Sequence, residues 1–249
     1  MATDLTPDEL RIEPAVRVRT DGVVAARTGF AAALIAATLT VIFIVLTLAF
    51  PGGEWAGIEA YADGFRTVQV GQLLPVLLLA PVVVILMACI HALTPARQRL
   101  FSHVAGVFAA IYAAIIGTNY VLQLVVVRHN ILAGELDGLN LLAMPNPRSV
   151  FVALEIVGYG FFALMALAAS GAFTGTGRGR WVQWLLAVTG VTGIVGAAGG
   201  LADQRIVMLA GFGLSLMAFL VATFFLVVHF RRSGEPAPAS AVASGGRQP

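Results

Sequence analysis

The chain has 249 residues, of which 59% are hydrophobic and 11% charged, with a formal net charge of +2 and a mean hydropathy of +0.90. Soluble domains carry about 25% charged residues, so a water-soluble core of this length, which would have to hide far more apolar surface than it could hold, is excluded. A lone cysteine, Cys89, rules out intramolecular disulfides and paired-thiol chemistry. The sequence pI near 9.1 comes with no nucleic-acid motif and no basic cluster interleaved with aromatics.

Residues 1–26 mix Asp4, Asp8, Glu9, Glu13 and Asp21 with Arg11, Arg17 and Arg19, and are expected to form a mobile tail. Runs of roughly 17 to 25 apolar residues, long enough to cross hydrocarbon about 30 Å thick as a helix, then recur at 28–50, 71–93, 102–127, 149–170, 182–201 and 205–230. The bilayer core supplies no water to satisfy backbone N–H and C=O groups, and alternating barrel strands are absent, so an all-α bundle of six transmembrane helices is predicted over 27–231. The first run is too long for a signal-peptide core and leads into Phe50-Pro-Gly-Gly without a small-residue cleavage pattern, so it is read as retained. Pro75 and Pro81 fall inside the second span and predict a bend.

Two loops mix apolar and acidic residues, 55–72 and 131–144, as expected of short elements lying at the interface and able to cap the bundle. Asn146-Pro147 reads as an N-cap followed by a first-turn proline opening the fourth span. The fifth span carries Gly190, Gly193, Gly196, Gly199 and Gly200, which permit close approach of the sixth helix or, alternatively, of another protein. Trp55, Trp181 and Trp184 sit at span edges, where amphipathic rings settle. The residues 232–249, containing Ser-Gly-Glu-Pro-Ala-Pro-Ala-Ser, are expected as a second disordered tail.

All fifteen basic residues are Arg, and counting 11, 17, 19, 27, 97, 99, 178, 180, 231, 232 and 247 places eleven on one side against Arg66, Arg128, Arg148 and Arg205 on the other. The positive-inside tendency then puts both termini in the cytoplasm. Familiar machinery is missing: there is no phosphate loop and no nucleophile elbow, which sets aside ATP-driven transport within this chain. His91, His103 and His229 lie near the cytoplasmic ends of spans, without the spacing of a metal or haem site, and Cys89 reads as packing. No cofactor, metal or nucleic-acid partner is expected.

Glu155 is the one carboxylate inside a membrane-length apolar run, with no charged neighbour at helical contact spacing. Facing lipid as a carboxylate it would cost at least about 2.5 kcal/mol, so it is expected to point inward. Asn119 and Gln123 are four apart on the third span with Tyr112 on the same stripe, and Glu155 and Tyr159 repeat that spacing on the fourth. A hydrogen-bonded cluster of Glu155 with Asn119, Gln123 or Tyr120 is predicted, with Tyr159 beside it and Arg148 seven residues earlier on the same face. Three readings fit: a structural carboxyl, a titratable site where a substrate cation or proton competes, and a general acid or base of an enzyme acting on lipid-soluble substrates.

The stretches Asn119-Tyr-Val-Leu-Gln123, Gly134-Glu135, Asn146-Pro147, Ala153-Leu-Glu155 and Gly158-Tyr159 resemble those of a group of small multi-pass bacterial membrane proteins of unknown function, across most of residues 60–230. The resemblance implies a six-helix bundle in a bacterial plasma membrane and no activity. The leading expectation is small-solute or ion transport or sensing around Glu155; the alternatives are a non-catalytic scaffold that packs with a partner and a lipid-modifying enzyme.

Overall fold

The computed structural model describes residues 9–51, 54–65, 67–174 and 177–233, with side chains over the same ranges except 9–21 and 67–70. Six helices are long and apolar enough to cross a membrane, and among the described residues there is no strand. The protein is an integral, multi-pass membrane protein built as an all-α bundle. The crossings are α1 (Glu9–Ala49), α3 (Thr67–Leu93), α4 (Arg99–Leu122), α6 (Val150–Ser170), α7 (Arg178–Leu201) and α8 (Arg205–Ser233). A short helix, α2 (Ile58–Asp63), follows α1, and α4 continues through a π-helical turn, Gln123–Val127, into α5 (Arg128–Ala133).

The spans begin and end where the apolar runs do only in part. Helix α1 starts at Glu9, so the stretch from there to Ala26, expected as tail, continues the helix instead. A formed helix gains one hydrogen bond for each residue added, and water at the helix end does not oppose it. The third span likewise runs on to Ala133. Residues 1–8 and 234–249 of the expected tails, and Arg66 of the charge count, lie outside the described residues. Helix α3 passes Pro75 and Pro81 as one helix. The expected N-cap of α6 is corrected: Ser149 takes that place, its hydroxyl accepting from Val152 N at 3.3 Å, while Asn146 Oδ1 accepts from Arg148 N at 3.0 Å in a preceding turn.

Each crossing packs against its neighbours in sequence and α1 packs against α8, so the helices close a ring in the order α1, α3, α4, α6, α7, α8. Toward the end carrying Arg97, Arg99, Arg231 and Arg232 the ring is filled: Leu86, Met165, Leu186 and Leu226 are fully buried there. Helix α7 enters by its glycines. A Cβ on Gly190 would lie 2.8 Å from the Ala163 carbonyl oxygen, and one on Gly196 would lie 2.8 Å from Phe212 N. The glycine stripe is thus occupied within the bundle, by α6 as well as by α8. Trp181 and Trp184, 61% and 57% exposed, stand on the outer face of α7 near its start.

At the opposite end Val127, Ile131 and Leu139 form a second small core with Tyr61, Phe65 and Leu142, joining α2 to the loop after α5. Tyr61 meets Phe65 edge-on at 5.8 Å, and burial pushes its phenol up to about 12. Helix α5 stops at Gly134, whose φ of 76° is the left-handed conformation that glycine adopts without a Cβ clash. Gln72 Nε2 donates to Leu46 O at 3.0 Å and Phe50 O at 2.7 Å, tying the start of α3 to the end of α1.

Candidate functional site

Starting from the Ser149 cap, Glu155 falls in the second turn of α6, about 8 Å along the helix from Val150 at about 1.5 Å per residue. Its partner is a phenol. Tyr120 on α4 donates to Glu155 Oε1 at 2.8 Å, and the Tyr120 and Tyr159 hydroxyls are 3.3 Å apart, so Glu155, Tyr120 and Tyr159 form one connected polar group.

The two amides do something else, which corrects the expected cluster. Asn119 Nδ2 donates to Phe151 O at 3.0 Å, and Gln123 makes two bonds to the loop before α6, to Leu142 O at 2.7 Å and from Met144 N at 3.1 Å. Both are buried toward α6, Asn119 on α4 and Gln123 in the π turn that continues it, as their spacing implied. The difference is one of reach and level. Helical side chains lean toward the N-terminus of their own helix, and the longer Tyr120 phenol extends across to the carboxyl, where the short Asn119 amide meets only the facing backbone. Arg148 is exposed, its backbone N–H is held by Asn146, and among the described residues Glu155 makes no ion pair.

Glu155 borders a partly open cavity of about 310 Å³ inside the ring. Five of the six crossings line it, through Thr40 and Phe43 of α1, Leu79 of α3, Tyr112 of α4, Glu155 of α6 and Phe212 of α8 among others. The wall is mainly apolar, and among the described residues no Arg, Lys or His belongs to it. Its aromatic rings are contiguous: Phe212 to Tyr159 is 5.3 Å between centroids, Tyr159 to Tyr112 6.4 Å, and Tyr112 to Phe162 5.1 Å. Phe162 in turn meets Phe219 edge-on at 4.9 Å, which closes the cavity toward the filled half of the bundle. The hydroxyls of Thr40 and Ser215 are spent on backbone, donating to Ala36 O and Thr189 O at 2.8 Å each. At the mouth Thr47, Leu209 and Gly213 are exposed, and a Cβ on Gly213 would meet nothing within 4 Å.

A second cavity, about 220 Å³, lies at the arginine-rich end between Thr94, Gln98, Phe173, Thr174 and His229. Gln98 Nε2 donates to Thr174 Oγ1 at 2.8 Å, while its Oε1 is buried without a partner. His91 bonds Ser102 at 2.8 Å and faces His103 at 5.9 Å, whereas His229 packs on Phe173 and Phe230. Among the described residues no three His, Cys, Asp or Glu side chains converge as a metal site would require. Cys89 is buried in the main core.

Sequence reasoning found the carboxyl, Tyr120 and Tyr159 but missed Thr40, Phe43, Phe212 and Ser215. A phenylalanine in an apolar span carries no mark of whether it faces lipid, a neighbour or a cavity. No family model, curated protein or solved structure matches the chain.

Proposed function

We propose that this membrane protein takes a small solute into its central cavity, for transport or for sensing, with Glu155 as the polar anchor. In the same proposal the arginine-rich end faces the cytoplasm of a bacterial cell and the cavity opens to the other side of the plasma membrane. The observation that carries the reading is the coincidence of the one carboxyl within the apolar membrane-length segments with a void of about 310 Å³ that five helices leave unfilled. Interiors are packed to near crystal density, and a void of this size forfeits contacts on all its walls. A purely structural carboxyl needs no such space.

Access supports the same reading. Thr47 is two residues before the end of α1, and Leu209 and Gly213 are four and eight after the start of α8, so the mouth runs from about 3 to about 12 Å below the helix ends at about 1.5 Å per residue. Its shallow edge, at Thr47 and Leu209, lies at the depth of lipid headgroups, where water reaches. The scaffold alternative loses its main support, because the glycine stripe that would have received a partner is filled by α6 and α8.

The test is site-specific thiol labelling in a Cys89→Ala background. Gly213→Cys at the mouth is compared with Leu214→Cys, a 60% exposed neighbour on the outer surface. A charged, water-borne methanethiosulfonate should modify the first at least roughly ten-fold faster, since it reaches only thiols in contact with water. Equal rates at the two positions would mean that no aqueous path enters the cavity, and the reading would fall.

A further inference from the structure

We infer that the solute held at Glu155 is a compact organic ammonium ion, in which one positive charge is carried by apolar substituents. This rests on the cavity-binding reading above and adds the chemistry of its ligand.

The wall assigns the charge. Among the described residues Glu155 is the one carboxyl that lines the cavity, and no basic side chain lines it or pairs with that carboxyl. Tyr120 contributes a hydrogen bond to Oε1 but no charge. An anionic or strongly hydrated solute would therefore find one like charge and little else to replace its water, whereas a cation finds its counter-charge in place.

The wall also separates organic from inorganic cations. Ca²⁺ takes six to eight oxygen ligands and Mg²⁺ a near-octahedral shell, but among the described residues this cavity offers a single carboxyl, half the charge a divalent ion needs, and neutral hydroxyls carried on separate helices. What it has in quantity is aromatic surface. Phe212, Tyr159, Tyr112 and Phe162 form a continuous wall with centroid separations of 5.1–6.4 Å, and Phe43 lines the cavity from α1. Ring faces attract a weakly hydrated ammonium through their quadrupoles within about 6 Å, and they bury its alkyl or aryl substituents. The volume, about 310 Å³, equals roughly ten times the share of a liquid water molecule, which sets the scale at a molecule of about that many heavy atoms.

An isosteric pair tests the assignment. Benzyltrimethylammonium and neopentylbenzene have the same shape and differ only in the nitrogen and its charge. Saturable binding of each, radiolabelled, is measured to the full-length protein in phosphatidylcholine nanodiscs, for the wild type, Glu155→Gln and Gly213→Leu. The wild type should prefer the cation, and Glu155→Gln should weaken the cation by at least about ten-fold while leaving the hydrocarbon unchanged, as loss of a desolvated charge pair implies. Retained neopentylbenzene binding by Glu155→Gln shows that the variant is folded. Gly213→Leu, placed where a Cβ has open space, should weaken both. If the hydrocarbon binds as well as the cation and Glu155→Gln changes neither, the ammonium assignment is overturned while the cavity reading stands. If neither compound binds and Gly213→Cys is inert to the charged reagent, both are overturned.

Discussion

Replacing Gly196 by alanine adds one carbon and two hydrogens where α7 meets α8, and the structure fixes what that must do. The new Cβ would stand 2.7 Å from Phe212 Cδ1, 2.8 Å from Phe212 N and 3.0 Å from Phe212 Cε1. The ring atoms can swing away, but the backbone nitrogen cannot. To reach ordinary contact at 3.4 Å that separation must grow by 0.6 Å, the difference between the two distances, so α7 and α8 must part along the seam. Overpacking of a fitted interface costs about 1–3 kcal/mol, and Gly196→Ala should sit within that range, lowering the midpoint of SDS-induced unfolding in mixed micelles. Gly213→Ala on the same face of the experiment meets nothing within 4 Å and should leave the midpoint unchanged or raise it slightly. The partner position adds a second check. A Cβ on Gly211 would fall on the backbone of Gly196 itself, so once either residue has pushed the helices apart the second substitution finds room. Gly196→Ala with Gly211→Ala should therefore cost less than the sum of the two alone, as coupled neighbours do. A Gly196→Ala protein with wild-type unfolding, or strict additivity of the pair, would refute the packing argument.

Gln123→Leu removes two bonds to the loop before α6, and leaving the Leu142 carbonyl and Met144 N–H without their amide should cost about 1–3 kcal/mol locally; hydrogen exchange over 139–146 should accelerate while exchange in α7 does not, and unchanged protection of the loop would contradict the assignment. Tyr61 should ionise only near the pH to which burial pushes it, about 12, so the 295 nm titration of the wild type minus that of Tyr61→Phe should show one late tyrosine. The sign follows: an unfolded phenol releases its proton at about 10, so the stabilisation held in the α2 cap is present below that pH and is lost as pH rises from there toward the folded value. A difference titration centred at the ordinary phenol value would show that Tyr61 does not sit in the small core between α2 and the loop.

The crossings were readable because the solvent, rather than the neighbours, dictates their length. Hydrocarbon thickness sets a run of about twenty apolar residues whatever the helix later touches, and 71–93 and the start at Arg205 are recovered from composition alone. Where water takes over, that rule stops and hydrogen bonding continues. Arg128, His129 and Asn130 end the apolar run at the third span, yet the backbone stays helical to Ala133, through a π turn that no apolar periodicity announces. The start of α6 shows a contest between two competent caps. Asn146-Pro147 has the right composition, but its amide is engaged with Arg148 N and Asn140 O, and Ser149 is the residue whose oxygen lies against an unpaired helix N–H.

The site divides along the same line between what a single helix determines and what the ring determines. Spacing on one helix correctly put Asn119 and Gln123 on the buried face of α4 and Tyr159 one turn from Glu155. Spacing carries no level between two helices, so it could not say that Tyr120 would meet the carboxyl while Asn119 met the Phe151 carbonyl. Still less could it show that α1 would close against α8, bringing Phe43 and Phe212 from distant parts of the chain to one wall. In lipid, apolar side chains gain no hydrophobic free energy by turning from fat to each other, so a void left between helices is invisible in hydropathy. What was visible is the imbalance at its edge. A carboxyl withdrawn from water needs hydrogen bonds, a counter-charge or both, and among the described residues Tyr120 serves one oxygen and no Arg, Lys or His lines the cavity. On the ammonium proposal, a ligand that brings a positive charge into the space beside Glu155 completes an arrangement that helix packing alone leaves unfinished.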